Sequence, residues 1–266
     1  MKPILFARWL SNLVGVIALL VTGATAAADL HVMISAGFYQ AYSELAPVFE
    51  RSSGHHLVTT RGPSLGDSSE AIPNRLKRGE PADVVIGVGA SIDDLSRQGL
   101  VRGGSKVDLA RSEIGMVVRA GAAKPDIGSV DTFRRTLIEA KSIAYSDSAS
   151  GIYLSTTVFA KLGIADQVAS KSRKVKGPPS GEPVAAVVAR GEAEIGFQQV
   201  SELMDVPGVT FVGAIPAELQ QDTFYSVALA NAVKQPEAAA ALIRFLASPE
   251  AAPAIAKAGL KPPSEP

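Results

Sequence analysis

Three short segments of the chain carry the residue types that hold small anions. They are Ser35-Ala36-Gly37, Gly62-Pro63-Ser64-Leu65-Gly66 and Ser146-Asp147-Ser148-Ala149-Ser150-Gly151. Each sets hydroxyls and small residues just ahead of a helical pattern. Free backbone N–H groups and the positive end of a helix dipole face outward there, an arrangement that suits an anion. Gly37, Gly66 and Gly151 let a ligand approach the backbone closely. A lone serine in such a turn often does no more than cap its helix. Three turns in matching positions argue instead for a shared site, to which Gln198-Gln199-Val200-Ser201 adds amide groups.

The second turn is flanked by cations: Arg61 before it, and Arg75, Lys77 and Arg78 on the helix that follows. The planar fork of arginine can bind both oxygens of a carboxylate, and Arg75 is the first choice for that role. Acid–base groups are fewer. Tyr39 and Tyr153 begin helices after two of the turns, where the dipole lowers a phenol pKa. Asp147, Asp67 and Glu70 are the alternative carboxylate bases. Ser35, Ser64, Ser146, Ser148 and Ser150 suit oxygen binding better than reaction, and Gln198 and Gln199 complete the polar set.

Other chemistries are poorly served. The chain has no cysteine, which excludes a thiol nucleophile, a thiolate metal site and an iron–sulfur cluster. Its only histidines are His31, His55 and His56, and no set of ligands has metal spacing. His55-His56 falls in a loop at the far end of a strand from the turns, where solvation is expected. Gly87-Val88-Gly89-Ala90 lacks the third glycine of a dinucleotide fingerprint. No nucleophile elbow supports a serine triad. Neither metal nor cofactor is expected. The charges balance, 26 basic against 26 acidic residues, without the excess a nucleic-acid binder needs. The expected partner is a small anion.

The elements that must position these turns alternate along the chain. Residues 30–34, 57–60 and 82–86 read as apolar strands, with helices expected over 39–51 and from about Asp67 to Gly79. Strand, helix, strand, helix, strand is the pattern of a parallel sheet. A second such unit follows, with strands at 142–145 and 194–197 and helices at 152–162 and 183–190. Residues 113–119 and 224–229 read as crossings between the two units, and 171–181 as a basic, Pro/Gly-rich loop. The fold class is α/β with two lobes: 29–112 and 224–266 in one, 113–223 in the other. Ligands in such sheets bind beyond the carboxyl ends of the strands.

The first 28 residues read as a cleaved leader rather than as part of the fold. Lys2 and Arg8 precede the apolar run Leu13–Val21, and small residues follow at 22–28. The run is shorter than the ~20 residues of a membrane span. An exported, periplasmic protein is expected, as a monomer.

The mature chain resembles the type II periplasmic solute-binding proteins, in particular their molybdate-binding-like branch. The residues that carry this are Val32-Met33-Ile34-Ser35-Ala36, the run Lys77-Arg78-Gly79-Glu80-Pro81-Ala82-Asp83, Ser150-Gly151-Ile152-Tyr153 and Glu194-Ile195-Gly196-Phe197. The resemblance implies two α/β lobes closing over a small ligand. Molybdate receptors usually have a serine in place of Gly37 and a tyrosine in place of Gln199, so the ligand is expected to differ. The segments 145–153 and 195–203, with Gly62-Pro63-Ser64 and 71–76, resemble more narrowly the branch that contains bacterial aconitate isomerases. That implies a cofactor-independent 1,3-allylic proton shift between trans- and cis-aconitate. The alternative is a non-catalytic receptor that delivers a carboxylate or oxyanion to a transporter permease.

Overall fold

The computed structural model describes residues 27–264. All but the last two residues of the expected leader lie outside them. Ten strands form two five-stranded sheets. The first contains β1 (Asp29–Ile34), β2 (His56–Arg61), β3 (Val84–Val88), β4 (Val107–Ser112) and β10 (Thr223–Leu229), in the order β2-β1-β3-β10-β4. The second contains β5 (Ile114–Arg119), β6 (Ile143–Ser146), β7 (Ser172–Val175), β8 (Ile195–Gln199) and β9 (Val209–Ala214), in the order β7-β6-β8-β5-β9. Each sheet has three neighbouring parallel strands, then one antiparallel strand and an edge. The chain passes from the first sheet to the second at Glu113, between β4 and β5, and returns between β9 and β10.

Period-two alternation explains why both faces of each sheet are covered. In β1, Leu30, Val32 and Ile34 enter one core, while Met33 enters the core on the opposite face. In β5, Ile114, Met116 and Val118 face one side and Val117 the other. Helix α1 (Ala36–Ser53) buries Phe38, Ala41, Tyr42, Leu45 and Phe49, a helical spacing, and stops at Gly54, whose φ of 75° is left-handed. Burying one such aromatic or leucine side chain contributes roughly 1.5–3 kcal/mol.

Several elements differ from the sequence reading. Helix α1 begins at Ala36, because the small residues of the first turn are themselves its opening turn. The helix expected from Asp67 shrinks to α2 (Ile72–Lys77), since the chain ahead of it passes through Gly66 at φ 107° and Pro73 stands in the first turn of the helix. Residues 172–175, read as loop, form the edge strand β7. Only Val175 of that strand is buried, so no apolar pattern marked it. His55 is buried against Phe49 and accepts a hydrogen bond from the Ala28 N–H, rather than being solvated. No helix among the described residues is long and apolar enough to cross a membrane.

Candidate functional site

Strand register brings the turns together. Ile34 pairs with Arg61 and with Ile86, so β1, β2 and β3 end side by side. In the second sheet, Ser146 pairs with Val175 and Tyr145 with Phe197. The six parallel strand ends converge on one narrow pocket. Its atom-free space is about 620 Å³ with the mouth included. That leaves room for one small ligand.

Of the residues expected at the site, Ser35, Gly37, Arg61, Ser64, Ser146, Asp147, Ser148, Gln198 and Gln199 line this pocket. Ser35 and Ser148 stand at the N-cap positions of α1 and α3 (Ala149–Tyr153), yet neither side chain caps its helix. Ser146 Oγ lies 2.8 Å from Ser148 Oγ and 3.1 Å from Ser150 Oγ. Ser64 Oγ accepts the Val88 N–H at 3.0 Å, which leaves its own proton free to donate. Three buried polar atoms of the pocket residues have no hydrogen-bond partner: Ser35 Oγ, Arg61 Nε and Gln199 Oε1. Leaving such atoms unpaired costs about 1–3 kcal/mol each, a cost that a ligand with matching groups removes.

Four expected residues stand elsewhere. Arg75 does not line the pocket. Its Nε donates to the Glu70 carbonyl at 2.9 Å and its Nη1 pairs with Glu80 at 2.8 Å, so it fastens the loop ahead of α2. Tyr39 lies beneath Arg61, whose guanidinium carbon is 4.0 Å from the ring centroid. This cation–π contact holds the arginine in place. Ser150 and Tyr153 line a wider groove next to the pocket, together with Phe224. Helix α3 starts at Ala149, before the expected position, and this carries Tyr153 to its far end.

The sequence reading missed two pocket residues, Glu202 and Tyr225. Glu202 ends a short 3-10 turn (Val200–Glu202) after β8, inside the very segment that carried the narrower resemblance. Its carboxyl is pushed up to about 7 by burial, against the opposing pull of the Gln198 hydrogen bond and the Arg61 charge; the Asp147 charge adds to the rise. Burial holds the Tyr225 phenol well above its usual value, and the nearby Glu202 charge adds to this. Tyr225 reaches over Gly37, where a β-carbon would overlap its ring and hydroxyl. Among the described residues no cluster of His, Asp and Glu can hold a metal ion.

Residues 30–261 match the model of the bacterial extracellular solute-binding protein family. The chain belongs to this family. It is 49% identical to an aconitate isomerase of Pseudomonas sp over 238 residues, 89% of each chain. It is 28% identical to a molybdate-binding protein of Azotobacter vinelandii, over 87% of this chain and 89% of that one. The solved structure of an Azotobacter vinelandii periplasmic molybdate-binding protein superposes with a TM-score of 0.70 at 21% identity, covering 88% of this chain and all of that one. The α/β solute-binding fold and the likeness to both relatives, read from the motifs, are borne out. For this solute-binding protein the family implies a small ligand in the cleft.

Proposed function

We propose that the protein is an aconitate isomerase, interconverting trans- and cis-aconitate in the cleft between its two sheets by a 1,3-allylic proton shift. The observation that carries this reading is the presence of two carboxyl groups, Asp147 and Glu202, in a pocket otherwise built for an anion. A receptor for an oxyanion gains nothing from them, because like charges repel. An isomerase needs a base within reach of the reacting carbons. The 49% identity to an aconitate isomerase supports the same assignment.

Arg61, rather than Arg75, binds a substrate carboxylate. Ser35, Ser64, Ser146 and Ser148 donate to the carboxylate oxygens, with the free N–H groups at the start of α1. These donors also receive the charge that spreads over the carbanion as it forms. The family, together with the leader expected from the sequence, supports a periplasmic location for the mature chain. The similarity to molybdate-binding proteins favours a second reading, a receptor that hands an anion to a transporter permease.

Ligand-dependent melting separates the two readings. Trans-aconitate is expected to raise the melting temperature by mass action on the folded state, molybdate less so, and incubation with trans-aconitate should yield the cis isomer. Stabilisation by molybdate alone, with no cis isomer formed, returns the chain to the oxyanion receptors.

A further inference from the structure

We infer that Glu202 is the group that carries the proton, with Tyr225 as a neutral hydrogen-bond donor to the substrate beside it. This rests on the isomerase reading and goes beyond it by naming the base. Glu202 lines the pocket, and only one of its oxygens is committed. Its Oε2 accepts from Gln198 Nε2 at 2.5 Å, while Oε1 has no hydrogen bond among the described residues. The Gln198 amide cannot turn over, because its Oε1 accepts the backbone N–H of Val184 at 3.1 Å. One carboxylate oxygen is therefore fixed and the other is presented to the ligand.

The turn that carries Glu202 is itself anchored across the cleft. Ser201 Oγ donates to the Gly37 carbonyl at 2.7 Å, tying the exit of β8 to the first turn of α1. Tyr225 lies over that same glycine. Glu202 and Tyr225 thus meet where the two sheets' units touch. Their environments set them apart as acid–base partners should be: Glu202 is poised near neutrality and Tyr225 stays protonated.

The alternative groups are placed differently. Asp147 lines the same pocket and, like Glu202, has one oxygen committed, but its Oδ1 accepts the Gly177 N–H at 3.0 Å and ties it to the neighbouring loop rather than to the turn anchored across the cleft. Tyr39 supports Arg61 from outside the pocket, and Tyr153 is in the adjoining groove.

In the step itself, Glu202 takes a proton from the methylene carbon of trans-aconitate. The electron pair of that C–H bond becomes the new double bond, and the former double bond's pair moves to the vinyl carbon. The protonated Glu202, whose acidic proton exchanges with solvent, then delivers a proton to that carbon, so the base is regenerated and no co-reactant is consumed. Tyr225 donates its O–H to a carboxylate oxygen throughout and does not ionise. The charged and titratable groups facing Glu202 are Arg61, Asp147 and Tyr225.

The test is Glu202→Gln, which keeps the shape and removes the base. Conversion of trans-aconitate is expected to fall by about 100-fold or more, and deuterium exchange at the methylene with it. Calorimetric binding of trans-aconitate should stay within a few-fold of wild type or tighten, since a negative charge has gone. For wild type, kcat/KM should decline below about pH 7 as Glu202 gains its proton. Glu202→Asp keeps a carboxyl on a shorter arm, and should retain that acid limb and more activity than the amide. If the wild type converts aconitate and Glu202→Gln does so within five-fold, the assignment of Glu202 is overturned while the isomerase stands. If the wild type converts none, the isomerase reading falls and takes this proposal with it.

Discussion

Replacing Arg61 with alanine is expected to weaken trans-aconitate binding by at least about 100-fold, which is about 2.7 kcal/mol. Arg61 lines the pocket, forms no ion pair among the described residues, and has a buried Nε without a partner. No carboxylate within contact distance neutralises its charge among the described residues. Removing one partner of a buried, hydrogen-bonded charge pair typically costs about 2–5 kcal/mol. Arg61→Lys should recover only part of the loss, because a lysine restores the charge but not the two-pronged fork or the stack on Tyr39. A second consequence separates electrostatics from simple damage. Arg61 holds the Glu202 carboxyl down against burial, so its loss should move the acid limb of the activity profile above pH 7. Titration calorimetry and a pH series on the two variants read both effects. Unchanged binding in Arg61→Ala would show that the pocket's cation is elsewhere.

Gly37→Ser is expected to abolish most activity and to destabilise the fold by about 1–3 kcal/mol, the usual cost of overpacking. The obstacle is room, since Gly37 has no left-handed φ and lies inside α1. An added β-carbon would occupy the place of the Tyr225 phenol. Tyr225 is fully enclosed between the core of the first sheet and the pocket, so it cannot step aside cheaply. Combining Gly37→Ser with Tyr225→Ala should restore much of the melting temperature without restoring turnover. That non-additivity is the mark of two groups competing for one space. If Gly37→Ser alone leaves both stability and conversion intact, the phenol is not where its role requires it to be. The serine usual at this position in molybdate receptors is thus incompatible with this tyrosine as placed here.

The sequence revealed most of the walls of the pocket because each wall follows a strongly marked strand. Val84, Val85 and Ile86 or Ile195 and Phe197 are apolar enough to announce a buried strand, and the turn after such a strand has only one place to go. The edge strand β7 was silent for the opposite reason. In β7, Arg173 and Lys174 face water, Ser172 is small and polar, and no apolar periodicity is left to read. The choice between Arg61 and Arg75 was not legible. Both flank the same turn, and what separates them is the fold of residues 62–71 and the capture of Arg75 by Glu80. Glu202 and Tyr225 were hidden more deeply. An ordinary glutamate becomes a base near neutrality only when burial removes water from it, and its neighbours come from distant parts of the chain: Arg61 ends β2, Asp147 follows β6, and Tyr225 belongs to the strand that returns from the second sheet.

The central claim is a proton shift within a solute-binding cleft, and proton NMR of trans-aconitate in heavy water with a catalytic amount of protein tests it most directly. The trans vinyl signal should decay, cis-aconitate signals should grow towards a constant ratio, and the protons at the two ends of the allylic system should be replaced by deuterium on the same timescale. The same ratio should be reached from cis-aconitate. Spectra that stay unchanged while calorimetry shows tight binding of trans-aconitate would contradict the account and leave a receptor.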